Sequence, residues 1–430
     1  MVTLSQDDER RLAGADGKPS QFAMEVMVRV AEASGASGFT DASMAHVGSC
    51  FYTGQVGVDF AEFLLAGGGH VAVPTMTNVS LIDALHPELR PERSDPEVVR
   101  GAMRLMEIYE ALGCDVVWTC APYQQNIRPG LGDQIVASES NAVAFYNSVC
   151  GARTNKYGDF VDICAAITGR VPTSGLHTDE GRRGRVLFRI SNVSPDLMKE
   201  DVFHQVLGIV IGRGSGKCVP VIEGLPDVIT EDQFKAIGSS AATAGSVALF
   251  HVVGHTPEAA TLDEAFRGGS AETTVEVTPD VLFDACSLLN GTCTQRLGAV
   301  CLGTPHFSVA EFAQLVALID GRRVHPDVNM FVSTSRHVAS QVEREGWQSV
   351  LDESGVQIVL DTCTYYTPII DGISGTVMTN SAKWAYYAPG MLGLDVAFAS
   401  MRECVDSAVR GEVTRDPQLW SGDLWGANTR

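Results

Sequence analysis

The sequence predicts an α/β fold of two or three subdomains built on parallel sheets, and three observations point that way. Short apolar runs alternate along the chain with helical stretches of about 10–15 residues, the pattern of βαβ units. At roughly 150 residues per domain, 430 residues exceed a single core. The composition, 45% hydrophobic and 19% charged, is globular, and the 43 glycines are scattered as turns with no internal repeat.

The elements follow in order. Apolar residues recurring at helical spacing predict a helix over 21–33. A second helical pattern over 96–112 stops at Gly113 and feeds a strand-like run at 114–119, which ends at Cys120-Ala121-Pro122. Small-residue helices are expected at 138–149 and 159–167, and strands at 184–191, 218–224 and 246–254. Helices are expected at 200–211 and 231–242. The alternation is cleanest from 296 to 410: strands at 298–302, 330–332, 356–360 and 395–399, helices at 308–320, 335–346 and 402–410. The resulting division is an N-terminal region over residues 1–195, a middle region over 196–295 and a C-terminal region over 296–412. A polar tail, 413–430, carries two tryptophans and either docks on a partner or packs on its own body.

Charge and cysteine usage narrow the function. The 31 basic and 52 acidic residues give −21, a field that repels phosphate backbones and anionic lipid, so nucleic acid and membrane are not expected partners. The acidic N-terminus lacks a signal pattern, and no apolar stretch approaches the ~20 residues of a membrane span. A cytoplasmic location is expected. The eleven cysteines are odd in number, scattered and without a CxxC pair, which argues against a disulfide scaffold, a zinc ribbon or a thioredoxin-type motif.

Ligands of parallel α/β sheets bind where strands end. In the C-terminal region those ends carry Gly303-Thr304-Pro305-His306, Ser333-Thr334-Ser335-Arg336 and Asp361-Thr362-Cys363, with a further loop Thr379-Asn380-Ser381-Ala382-Lys383. The N-terminal region adds Cys120. Helix capping would account for Ser333, Thr334 and Thr379. It does not account for the cysteines, His306, Arg336 or Lys383, and thiolates from separate strand ends can hold iron or zinc. Cys114, Cys164, Cys218, Cys286 and Cys404 sit inside apolar patterns and read as core thiols, and Cys293 is isolated. The segment 212–217 (GRGSGK) resembles a phosphate loop, but Ile211 and Cys218 occupy the positions that need Gly and Ser or Thr, so it reads as a turn. His251 and His255 flank Gly254 and lack the Glu of a zincin.

The segments TCAPYQQNIRPGLGDQIVASESNAV (119–143), NSVCGARTNKYGDF (147–160), SGLHTDE (174–180) and SVALFHVVGHTPEA (246–259) carry a resemblance. LGTPHFS (302–308), STSR (333–336), DTCTYY (361–366) and TNSAKWAYYAPG (379–390) continue it in order. Together they resemble the catalytic, large part of aconitase X. The resemblance implies an aconitase-like α/β body and a hydro-lyase that uses an iron–sulfur cluster to expel a hydroxyl. It also implies a small swivelling domain, fused in some members and a separate subunit in others; this chain reads as the large part alone, with a separately encoded partner. Cys120 and Cys363 match cysteine positions that look like cluster ligands, and the third such position is Thr304. Fewer thiolates imply a smaller, [2Fe–2S]-type centre, with Cys301 and Cys150 as substitute ligands to be weighed.

That substitution resembles the branch acting on cis-3-hydroxy-L-proline; the alternatives are a mevalonate 5-phosphate dehydratase and a non-catalytic small-molecule binding subunit. The candidates for catalysis are Ser381, Lys383 and His306: Ser381 or His306 shuttling the proton, with Lys383 activating the serine. Arg153, Asn155, Arg336 and Ser335 are the candidates for substrate contact, and Lys383 is a further candidate, with the two arginines, for gripping the carboxylate, Arg offering a bidentate fork.

Overall fold

Three successive stretches of chain each wrap a parallel sheet, and the computed structural model describes them over residues 2–92, 94–291, 294–366 and 369–420. The first contains β1 (Phe39–Asp41), β2 (Ala45–Val47), β3 (Thr75–Thr77), β4 (Val136–Ala137) and β5 (Arg170–Pro172). β3, β2 and β4 form a small parallel sheet in that order, and β1 pairs antiparallel with β5. The second contains β6 (Gly184–Ile190), β7 (Val219–Glu223), β8 (His251–Val252) and β9 (Thr273–Val277), parallel in the order β8-β7-β6-β9. The third contains β10 (Leu297–Phe307), β11 (Asn329–Thr334), β12 (Val356–Leu360), β13 (Thr376–Thr379) and β14 (Val396–Phe398).

Order in the third sheet fixes where chemistry can sit. Its strands run parallel as β12-β11-β10-β13-β14, so the chain leaves β10 toward one edge and later returns to its other side. Such a reversal opens a crevice at the carboxyl ends of β10 and β13. All eleven residues of β10 are buried, and the strand runs on through Gly303, Thr304, Pro305 and His306 rather than stopping at 302 as expected. Gly303 makes this possible: its φ is 85°, and a Cβ there would stand 2.1 Å from the Ser333 carbonyl oxygen on β11. Gly303→Ala combines a left-handed backbone with a steric clash, so a loss on the order of 2–5 kcal/mol is expected. A denaturant midpoint within error of wild type would contradict it.

Several expectations are corrected. The run 114–119 makes only a single bridge, Met76 to Asp115, because Trp118 turns out of extended geometry at φ 43° to donate its N–H to Thr77 Oγ1 at 3.1 Å. Only His251–Val252 of the expected strand 246–254 pairs. β13 and the helices Trp347–Ser354 and Ala382–Leu392 were not anticipated, the last because Pro389 inside it reads as a breaker. The GRGSGK segment is not a turn: the helix Asp201–Ser215 continues through Gly212. A Cβ at Gly212 would lie 2.6 Å from the Ala241 carbonyl oxygen of the helix Glu231–Gly245, so the glycine lets two helix backbones touch. No phosphate loop forms there. Trp420 packs on its own body, its Nε1 donating to Glu403 Oε1 at 2.5 Å and its ring under Arg415; the second tail tryptophan, Trp425, and Cys293 lie outside the described residues. Among the described residues no helix is long and apolar enough to cross a membrane.

Candidate metal centre

The first and third stretches meet at the crevice. Thr119 Oγ1 accepts the Ala121 N–H at 3.1 Å, closing a turn that presents Cys120. Asn141 anchors that turn by donating from Nδ2 to the Cys120 carbonyl (3.1 Å) and the Tyr123 hydroxyl (2.9 Å). On the other side β12 is followed by Asp361, at φ 63°, whose carbonyl accepts the Ser80 N–H at 2.7 Å as the chain turns toward Cys363. The two sulfurs stand 4.0 Å apart, both buried. That is far beyond the ~2.05 Å of a disulfide. It suits two thiolates on one tetrahedral ion, which with bonds of about 2.3 Å are about 3.8 Å apart.

His306 completes the group. A ligand-type nitrogen of His306 and the two sulfurs all lie within 4.8 Å of one another. Its ring is held from both sides: Nε2 meets the Thr362 carbonyl at 3.0 Å and Nδ1 the Thr119 hydroxyl at 3.0 Å. A carbonyl only accepts, so Nε2 carries the hydrogen and Thr119 donates to Nδ1. The His306 backbone N–H donates to Cys120 Sγ at 3.3 Å. Among the described residues, the buried hydroxyls of Thr304 and Thr362 have no hydrogen-bond partner, an unusual cost unless something else occupies the space beside them. Soft paired donors and orphaned hydroxyls at a strand-end crevice fit an iron–sulfur group.

The electrostatics divide the labour. Burial pushes the His306 imidazole down to about 4, so it is neutral. Burial also raises the Cys120 thiol, but hydrogen bonding to Cys363, the Lys383 charge and the His306 N–H outweigh it and leave Cys120 below the ordinary thiol range. Its neighbour Cys363 is pushed well above, first by that same hydrogen bond and then by burial. Lys383 Nζ meets Glu139 Oε1 at 2.7 Å, with side chains only 4% and 8% exposed. Burial lowers the Lys383 ammonium, but Glu139 more than reverses this and keeps it charged. Glu139 is likewise raised by burial, yet Lys383 and the Ala142 N–H hold it below the ordinary carboxylate range.

The sequence-predicted residues separate accordingly. Cys120, Cys363 and His306 come together, and Lys383 acts electrostatically on all three. Ser381 caps the helix Ala382–Leu392, its Oγ accepting the Trp384 N–H at 3.1 Å and donating to the Thr304 carbonyl. Two expected roles do not survive this geometry. His306, neutral and bonded at both nitrogens, is not poised as a shuttle. Lys383, charged and committed to Glu139, cannot activate Ser381 as a base. Arg153 is engaged with acids of its own chain: its backbone bridges Gln134, and its guanidinium pairs with Asp179 at 2.5 Å and Glu258 at 3.9 Å. Asn155 spends its amide locally, donating to the Ser174 carbonyl (3.1 Å) and accepting from the Leu176 N–H (2.8 Å). Arg336 gives its fork to Asp361, at 2.7 and 2.6 Å. Ser335 caps the helix Arg336–Arg344 and accepts from Gln125 Nε2 at 3.2 Å.

Neither Cys301, which leans on Thr364, nor Cys150, beside Arg128, belongs to the metal-type group. Capping falls to Ser308, Ser335, Ser381 and Ser400 rather than to Ser333, Thr334 or Thr379. Sequence reading missed Glu139. Placed between two serines at a helix start, it looks like a capping acid, and it is one: Oε2 accepts the Ala142 N–H at 2.7 Å.

Comparison with known proteins agrees along most of the chain. Residues 1–180, 184–287 and 297–410 match the family descriptions of the aconitase X first, second and third domains, respectively. A Pseudomonas aeruginosa protein named cis-3-hydroxy-L-proline dehydratase is 41% identical over 97% of this chain and 72% of its own length. One of the same name from Hypocrea jecorina is 37% identical over 95% of this chain and 69% of its own. A Methanothermobacter thermautotrophicus phosphomevalonate dehydratase large subunit is 34% identical, covering 92% of this chain and 96% of the relative. The crystal structure of Thermococcus kodakaraensis aconitase X in its holo-form superposes with a TM-score of 0.84 at 28% identity, over 95% of this chain and all of that one.

Proposed function

Because the chain belongs to the aconitase X family, a family of dehydratases, we propose that it removes water from cis-3-hydroxy-L-proline, with Cys120 and Cys363 holding an iron–sulfur centre. The observation that carries this reading is the buried thiol pair, 4.0 Å apart at the strand-order reversal, in a chain 41% identical to a dehydratase of that name. Two thiolates, with Thr304 at the third position, support a [2Fe–2S]-type centre over a larger one. When bound, that centre supplies a Lewis acid for the departing hydroxyl.

The chain's own residues do the rest. Ser381 takes the C2 proton as its alkoxide, its own hydroxyl proton having first passed to solvent: its Oγ sits at the positive end of the helix Ala382–Leu392, where the Trp384 N–H and the helix dipole favour charge on oxygen. The C2–H electrons form the C2=C3 bond as the C3–O bond breaks, the departing hydroxide takes a proton from solvent to become water, and the enamine tautomerises to Δ1-pyrroline-2-carboxylate. In the cis isomer the carboxylate and hydroxyl share a ring face, so the C2 hydrogen and the leaving group stand on opposite faces. A fixed base and a fixed acid can serve only one such arrangement. Lys383 holds the substrate carboxylate, and Thr304 and Thr362 present open hydroxyls beside the reacting atoms. A small swivelling-domain partner closes the site. In support, the archaeal relative is named a large subunit, a name that implies a small one.

Anaerobically purified protein, with its small partner, tests this against three substrates followed by NMR. The cis isomer should be consumed and trans-3-hydroxy-L-proline should react at least 100-fold more slowly, on the order expected for misplaced reacting groups. Turnover of mevalonate 5-phosphate with neither isomer consumed would replace this reading with the phosphorylated substrate.

A further inference from the structure

The Glu139–Lys383 pair is more than a buried ion pair, because neither partner is saturated. An ammonium carries three donors, and among the described residues Lys383 makes one side-chain hydrogen bond, to Glu139 Oε1. A carboxylate has about four acceptor positions. Glu139 uses three: Lys383 and the Ser140 hydroxyl (3.3 Å) on Oε1, the Ala142 N–H on Oε2. Among the described residues, two donors and one acceptor therefore remain open on groups almost wholly removed from water. Taking such charges out of solvent costs several kcal/mol per ion, and a pair of apolar residues would fill the space at less cost. The pair also lies close to the metal-type group: Asn141, two residues after Glu139, donates to the Cys120 carbonyl, and Ser381, two residues before Lys383, donates to the Thr304 carbonyl.

Building on the hydroxyproline reading above, we infer that the Glu139–Lys383 pair is the receptor for the zwitterion itself, the Lys383 ammonium taking the substrate carboxylate and the Glu139 carboxylate taking the ring ammonium. The counts agree: a carboxylate accepts the two open Lys383 donors, and one of the two N–H groups of a pyrrolidinium fills the open position on Glu139. Charge agrees as well. A net-neutral zwitterion leaves the pocket as neutral as the ion pair made it, and each charge exchanges one partner for two. A phosphorylated hydroxy acid has no cation for Glu139 and would bring several negative charges against it. Glu139 is thus a specificity-determining residue, and it discriminates by charge sign rather than by size.

The test uses two isosteric ligands without a leaving group, L-proline and (S)-tetrahydrofuran-2-carboxylate, titrated calorimetrically into the iron-loaded protein with its partner. The second replaces the ring ammonium by an ether oxygen and changes little else. Wild type should bind L-proline about 30-fold or more tightly than the ether acid, the effect of leaving one buried charge unpaired. Glu139→Gln keeps an acceptor for the Ala142 N–H and should collapse that ratio to within about threefold. Iron content and unfolding midpoint report whether the variant is intact; if it is not, the wild-type ratio alone decides. Equal affinities in wild type, or an undiminished ratio in an intact variant, would overturn the inference. If cis-3-hydroxy-L-proline is still turned over in that case, only the zwitterion receptor fails. If neither ligand binds and mevalonate 5-phosphate is the substrate, the functional reading fails with it.

Discussion

Cys120→Ala and Cys363→Ala should each purify folded, colourless and depleted of iron. Each substitution removes one of two soft donors, and the oxygen and imidazole groups that remain beside them do not hold an iron–sulfur centre in place of thiolate. His306 is no ready replacement, since both of its nitrogens are already bonded, to the Thr362 carbonyl and the Thr119 hydroxyl. The fold should tolerate the change. Both cysteines are small and buried at a crevice rather than central to a sheet, so about 1–2 kcal/mol is the expected loss. Cys286→Ala and Cys301→Ala remove equally buried thiols outside the metal-type group and should keep full iron and visible absorbance. Metal analysis with the visible spectrum decides the matter. Full iron in both of the first two variants, or iron lost from an intact Cys286→Ala, would move the centre elsewhere.

How much of this is legible in the sequence depends on whether the signal is local. The strand Val356–Leu360 is bounded in the structure as its apolar run predicts, because a buried parallel strand is a short hydrophobic run and nothing else competes. The end of β10 escapes such a reading because Gly303 and Pro305 look like loop residues. Their strand geometry depends on a neighbour, the Ser333 carbonyl, that no sequence window contains. The same holds at the site. Cys120 and Cys363 are legible as strand-end thiols, and the structure brings them together across 243 residues of chain. Arg153 and Arg336 stand out for an anion-binding chemistry that each one gives to a carboxylate of this same chain. Residue type announces what a side chain can bind, whereas its partner is set by topology. Glu139 is overlooked for the converse reason: its capping role is local and visible, while its ion pair with Lys383, 244 positions away, is not.

Ser381 should prove indispensable to the chemistry while contributing little to the fold, and two substitutions separate those roles. Ser381→Ala removes both the hydroxyl and the helix cap, at a stability cost of about 1 kcal/mol. Ser381→Asn keeps a capping oxygen for the Trp384 N–H but offers no group that can take a proton from carbon. If Ser381 only positions the helix Ala382–Leu392, the asparagine variant should work nearly as well as wild type. If it carries the C2 proton, both variants should lose activity alike, by on the order of 10²–10⁴-fold in kcat. KM should stay close to wild type, because Lys383 and Glu139 still hold the substrate. Deuterated water supplies an independent readout: wild type should leave deuterium at C2 of recovered cis-3-hydroxy-L-proline wherever proton removal reverses before the hydroxyl departs, and neither variant should. An asparagine variant with kcat within threefold of wild type would reduce Ser381 to a cap. The base would then have to be sought among the groups around the thiol pair, with Tyr366, partly exposed and within electrostatic reach of Lys383 and Cys363, as the next to substitute.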